Sequence, residues 1–236
     1  MSDTTPHKLR SVAGRPHVLL SCAVSIDGYL DDTRPERLML SSEVDLDRVD
    51  GVRASVDAIL VGANTVRRDN PRLLVRSQAR LRARTARGLV ANPAKVTVTR
   101  SGELDPRARF FTTGDARKLV YAASGVLDKT RRTLGGNATV LDAGEPPELP
   151  RILADLAGQG IARLMVEGGS GILSWFLSAG LADELHLVVA PRFVADPRAP
   201  KWLRPGAGVP GGSRLLSTER LGDCVLLRYE LETRDD

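Results

Sequence analysis

The sequence predicts an α/β three-layer domain: a mixed, mostly parallel sheet with helices on both faces and an antiparallel hairpin at its C-terminal end. Three observations carry this. Near-continuous apolar runs recur along the chain, as in strands buried on both faces. Stretches with apolar residues at helical spacing separate them. The last two strand-like runs are joined by a Gly222-Asp223 turn rather than by a helix.

Taken in order, residues 1–15 are polar and are expected to form a disordered tail. His17 to Ser25 is an apolar run and predicts the first strand. Ser41-Ser42-Glu43 reads as a helix start, followed by Val44, Leu46, Val49, Val52 and Val56 at near-helical spacing. Asp57 to Gly62 predicts a second strand. Asn64 to Arg68 predicts a short helix, broken at Asp69-Asn70-Pro71. Residues 77–92 are poor in apolar side chains and read as an arginine-rich excursion. Strands are expected at Lys95–Thr99, Lys118–Ala123 and Ala138–Asp142, and a helix at Pro150–Gly158. Leu164 to Val166 is a strand that runs into Glu167-Gly168-Gly169-Ser170-Gly171, with a helix from Ile172 to Ala179. Glu184 to Ala190 alternates and stops at Pro191. Arg214–Leu221 and Cys224–Leu231 complete the hairpin. One domain over 16–236 is the simplest organisation.

Composition narrows the function classes. The chain has 236 residues, 42% hydrophobic and 27% charged, which allows a core without covalent staples. Two cysteines, Cys22 and Cys224, lie in apolar runs and are expected to be buried thiols. The three histidines are scattered, and no Cys/His cluster has metal-ligand spacing, so no metal is expected. No signal peptide and no apolar run of about 18 residues is found, so a cytoplasmic protein with no membrane partner is expected. The net charge is +5, and eight arginines fall between Arg67 and Arg87. Aromatics do not interleave with them, which disfavours nucleic acid. A small-molecule phosphate suits part of this set, and a solvated face accounts for the rest.

Three motifs can carry chemistry. Glycines between a buried strand and a helix let a ligand approach the backbone, and the helix start favours an anion. A tight turn with no ligand has the same sequence. Glu167, at the carboxyl end of that strand, could accept from pyrimidine N–H groups or cap the next helix. Thr65 and Asp69, four residues apart, share one helix face and could bond ribose or amide groups; a capped helix with a proline stop reads the same. Ser25-Ile26-Asp27-Gly28 is a turn sequence. Asp27 ends the first strand and is the best carboxylate candidate for a proton donor, a role that needs a raised pKa; solvent is the alternative donor.

Four segments together, SIDG at 25–28, VDAILVGANTVRRDNPRLLVR at 56–76, LMVEGGSGIL at 164–173 and DELHLVVAP at 183–191, resemble a known family. It is the reductase domain of the bifunctional riboflavin-biosynthesis deaminase–reductase and its free-standing counterparts. The resemblance spans about residues 16–232. It implies a dihydrofolate-reductase-like fold, a homodimer and NADPH as hydride donor. The implied reaction reduces the ribosyl group of a (di)amino-ribosylamino-pyrimidinone 5′-phosphate to the ribityl form, in riboflavin biosynthesis. Hydride passes to the sugar C1′ of the ring-opened imine. Carried over by position, Ala23, Thr65, Asp69 and the turn Gly168, Gly169, Ser170 and Gly171 are expected to contact the cofactor, with Arg100 at its 2′-phosphate. Arg53, Leu73 through its backbone, Arg76 and Glu167 are expected to contact substrate. Asp27 and Glu167 are the candidate catalytic residues. Arg53 could also be a solvent-facing helix residue.

Three departures stand out. Many relatives carry Lys or Arg directly after Asp-Gly, where this chain has Tyr29, and many carry Trp-Ile-Thr where it reads Arg37-Leu38-Met39-Leu40-Ser41. The stretch 77–92 replaces an expected short loop. The first two lie on the substrate side, so a pterin or another pyrimidine is the alternative substrate. The zinc-deaminase signature is missing, so a separate deaminase is expected in the pathway.

Overall fold

A central sheet of nine strands runs through the computed structural model, which describes residues 14–34, 36, 38–209 and 212–232. The expected tail is outside the described residues except for its last two positions, and so is Arg37. The strands are β1 (His17–Ser25), β2 (Ala58–Gly62), β3 (Ala94–Thr99), β4 (Lys118–Ala122), β5 (Thr139–Asp142), β6 (Arg163–Glu167), β7 (Glu184–Ala190), β8 (Ser213–Leu221) and β9 (Cys224–Leu231). Their order is β5-β4-β3-β2-β6-β1-β7-β9-β8. Every pair from β5 to β7 is parallel, and β9 runs antiparallel to both β7 and β8. The expected mixed sheet and closing hairpin are both present.

The helices are α1 (Glu43–Ser55), α2 (Ala63–Asp69), α3 (Gln78–Ala86), α4 (Arg109–Thr112), α5 (Leu127–Leu134), α6 (Leu149–Gly158) and α7 (Ser170–Ser178). Alternate strand residues feed two cores. Leu20, Leu60, Val96, Leu164 and Val166 pack on α6 and α7 through Leu153, Leu156, Leu173 and Phe176. Leu19, Ile59, Val61 and Met165 pack on the other helices through Val52, Val66, Phe110 and Leu134. Central strands are therefore apolar on both faces, and each fully buried Leu or Met contributes about 2 kcal/mol. Both cysteines are buried and free, as expected. Among the described residues no helix is long and apolar enough to cross a membrane.

The stretch 77–92 is not an excursion. Ser77 caps α3, with its hydroxyl accepting from the Arg80 N–H. Arg80 forks onto Asp47 (2.6 and 2.7 Å) and donates to Asp50 (3.0 Å), tying α3 to α1. Arg84 is buried and donates to the carbonyls of Ala54, Val56 and Val90 at 2.8, 2.8 and 3.0 Å. It closes the carboxyl end of α1, where carbonyls lack helical partners. The helix was hidden from periodicity because charge, not an apolar stripe, docks it. Helices α4 and α5 were also unforeseen; in α5 the only buried residues are Thr130 and Leu134.

Candidate functional site

The carboxyl ends of β1, β2, β3 and β6 open into one cleft of about 1040 Å³. This is where open α/β sheets bind ligands. At its centre β6 ends in Glu167, and Gly168 and Gly169 follow with φ of +61° and +85°. Both are left-handed conformations that side-chain-bearing residues avoid. Gly169 is the N-cap of α7, and no side chain caps this helix. A Cβ on Gly169 would stand 2.9 Å from the Thr65 hydroxyl oxygen. The glycine corner and the short threonine–aspartate helix therefore meet, and a larger residue at 169 would fill the space between them. Both segments line the cleft, with Ala23 and Arg100 beside them. The diglycine corner, an uncapped helix start and a hydroxyl at that distance fit a dinucleotide phosphate.

The other half of the cleft is built from α1 and the turn after α2. Arg53 and Glu167 form a two-pronged pair, Nε to Oε1 at 2.6 Å and Nη2 to Oε2 at 2.7 Å. Arg53 also donates to the Leu74 carbonyl at 3.2 Å. Burial works against the Arg53 charge, but Glu167 outweighs it and leaves the guanidinium pKa raised. Arg53 is thus not a solvent-facing residue. Leu73 lines the cleft with φ +48°, strain of roughly 1–3 kcal/mol that is typical of functional turns. Its side chain is buried in the core, so it is the backbone that can serve a ligand.

Sequence reasoning missed a second buried cluster. Arg48 lines the cleft and bonds Asp45 through Nε at 2.8 Å, with Nη1 3.2 Å from His186 Nδ1. Arginine can only donate, so Nδ1 accepts and the ring carries its proton on Nε2, 2.7 Å from Glu184 Oε1. Burial first of all lowers the His186 pKa, which suits this neutral ring. Also missed was the chain from Pro197 to Pro205, which walls the cleft between β7 and β8. Its only signal was proline and cation content. Lys201 bridges to Tyr29, its ammonium 5.2 Å above that ring.

Two expected site residues stand apart from the cleft lining. Asp27 accepts from the Ser25 hydroxyl at 2.6 Å and from the Ala195 N–H at 2.8 Å. The Ser25 bond above all holds its carboxyl below the usual range, the reverse of what a proton donor at neutral pH needs. The Arg76 guanidinium instead reaches α1 and donates to the Leu46 carbonyl at 2.7 Å. Arg53 is thus committed to Glu167 and Arg76 to α1.

Residues 16–227 match the family model described as the RibD C-terminal domain. A relative from Archaeoglobus fulgidus, named 2,5-diamino-6-ribosylamino-4(3H)-pyrimidinone 5′-phosphate reductase, is 34% identical over 210 residues, covering 89% of this chain and 95% of its own. A relative of the same name from Methanothermobacter thermautotrophicus is 32% identical, covering 92% of this chain and 99% of its own. Among solved structures, a pyrimidine reductase-like protein from Corynebacterium diphtheriae superposes with a TM-score of 0.79 at 22% identity over 93% of each chain, a likeness of fold. On this match of family model and sequence, set beside the cleft and its glycine corner, the chain belongs to the RibD C-terminal domain family.

Proposed function

We propose that this chain is a reductase of riboflavin biosynthesis that reduces the ribosyl group of a 2,5-diamino-6-ribosylamino-4(3H)-pyrimidinone 5′-phosphate, with NADPH as its cofactor. The observation that carries this reading is the approach of Thr65 to Gly169 across a cleft wide enough for two ligands. The Gly168–Gly171 turn, Thr65 and Asp69 hold the dinucleotide, and Arg100, exposed at the end of β3, takes the 2′-phosphate that distinguishes NADPH from NADH. The nicotinamide, when bound, supplies the hydride. Glu167, fixed by the Arg53 fork, presents carboxylate oxygens to the amino and ring N–H groups of the pyrimidine. Its role is to orient the sugar C1′, since positioning is the main protein contribution to such chemistry. Asp27 stands outside the cleft lining and both Glu167 oxygens are taken by Arg53, so the reading draws the proton from solvent in the cleft.

Tyr29 and the Lys201 ammonium above it favour, as a second reading, another pyrimidine or a pterin with the same cofactor. A substrate panel followed by NADPH absorbance separates the two. Gly169→Val should weaken NADPH binding by about 100-fold, because a side chain there is both strained and in the path of Thr65. Arg100→Ala should narrow the preference for NADPH over NADH. Wild-type protein that binds neither dinucleotide at millimolar concentration sinks the reading. The proposal includes a homodimer, supported by half-exposed Leu215 and Val225 on the outer strands β8 and β9. Light scattering should then give twice the 25.4 kDa mass of the chain.

A further inference from the structure

The crossing from β7 to β8 carries three cations, Arg192, Lys201 and Arg204, that have no carboxylate partner among the described residues, and the last two line the cleft. Lys201 rests on Tyr29. Arg204 lies elsewhere. Its Nη2 is 2.6 Å, and its Cζ 3.1 Å, from where a Cβ on Gly171 would stand. The guanidinium is thus laid directly against the first turn of α7, at the glycine corner.

Two further facts make this placement specific. The backbone under Arg204 is anchored: its N–H donates to the buried Ser174 hydroxyl of α7 at 2.9 Å, and Trp202 N–H donates to the Gly28 carbonyl at 3.1 Å. The second concerns Gly171. Unlike Gly168 and Gly169, it has no left-handed backbone that would call for glycine. Glycine at 171 provides room, and what occupies that room is the Arg204 guanidinium.

We propose that Arg204 is a cofactor-binding residue, its guanidinium and the first turn of α7 closing from two sides on the pyrophosphate of the dinucleotide. This rests on the cleft being a dinucleotide site. A guanidinium beside the positive end of a helix, with no carboxylate paired to it among the described residues, is electrostatically unfavourable until an anion joins them. The planar fork matches phosphate oxygens, and the crossing keeps it in place before the ligand arrives. A phosphate could come from the cofactor or from the 5′-phosphate of the substrate. The glycine corner is the cofactor side; Arg53 and Glu167 mark the other.

Titration of NADPH fluorescence without substrate tests this. Arg204→Ala should raise Kd by about 10-fold, the loss expected for one charge-assisted contact, with Arg204→Lys in between. Arg204 is exposed, so the thermal midpoint should hold. Gly171→Ala should raise Kd by displacing the guanidinium, and should add nothing to Arg204→Ala. Reduced nicotinamide mononucleotide, which lacks the pyrophosphate, should bind wild type and Arg204→Ala alike. KM for the pyrimidine phosphate at saturating NADPH should be unchanged. A wild-type Kd in Arg204→Ala overturns the assignment. So does an unchanged Kd with a raised substrate KM, which would give Arg204 to the substrate phosphate. Wild-type protein with no affinity for NADPH removes the underlying reading and this proposal with it.

Discussion

Two sets of arginines, one on the α1–α3 face and one around the cleft, differ in what their guanidinium groups touch. On the α1–α3 face three are bonded to protein: Arg80 to Asp47 and Asp50, Arg84 to three carbonyls, and Arg76 to the Leu46 carbonyl, while Arg82 and Arg87 are exposed. Around the cleft, Arg48 and Arg53 are paired deep inside, but Arg68, Arg100 and Arg204 have no carboxylate partner among the described residues. Much of the denser cluster in sequence, Arg76, Arg80 and Arg84, is thus structural. The scattered set is available to a ligand. Density of positive charge along a chain measures neither; the partner does, and partners are set by tertiary contacts.

The sharpest way to break this contrast is Arg84→Met. The substitution keeps much of the buried stem volume and removes three donations. The carbonyls of Ala54, Val56 and Val90 then lose a donor inside the protein. The expected loss is about 3–4 kcal/mol of unfolding free energy, read by urea denaturation. NADPH affinity of the folded fraction should be unchanged. A loss below about 1 kcal/mol, or a cofactor defect without a stability defect, would erase the distinction between the two sets.

The same contrast explains what could be read from the sequence. β1, β7 and β9 fall on their expected bounds: β1 is written as a continuous apolar run, β7 stops at Pro191, and β9 begins after the Gly222-Asp223 turn. The meeting of Thr65 with Gly169 was legible because both segments sit at strand ends, which the sheet brings to one edge. Helix α3 was not, since its docking depends on carboxylates and carbonyls of α1 that are adjacent only after folding. The sequence around Asp27 does not show that the Ala195 N–H, 168 residues away, donates to its carboxylate. Arg204 was beyond reach for the same reason: neither its spacing nor its neighbours in sequence point to Gly171.

Lys95 sharpens the comparison from the other direction, because it does the work of Arg84 with a group that can titrate. It is buried on β3, and its ammonium donates to the carbonyls of Phe110 and Thr113 at 3.1 and 2.6 Å, closing the end of α4. Burial, with a smaller contribution from Lys118, pushes its pKa down to about 8. In the unfolded chain a lysine holds its proton to roughly 10.4. Between these values the unfolded state binds more protons, so stability rises with pH across that window and the gain is lost as pH falls through about 8. The full effect is roughly 3 kcal/mol, of which about 2 kcal/mol falls between pH 7.5 and 10, less than the loss expected on removing Arg84. Unfolding free energies at pH 7.5 and 10 should show this rise in wild type and lose most of it in Lys95→Met. Arg84 contributes no such slope, because a guanidinium stays charged throughout this range. A wild-type curve that is flat, or that falls at the same rate in both proteins, would mean that the buried ammonium is as well solvated by its two carbonyls as by water.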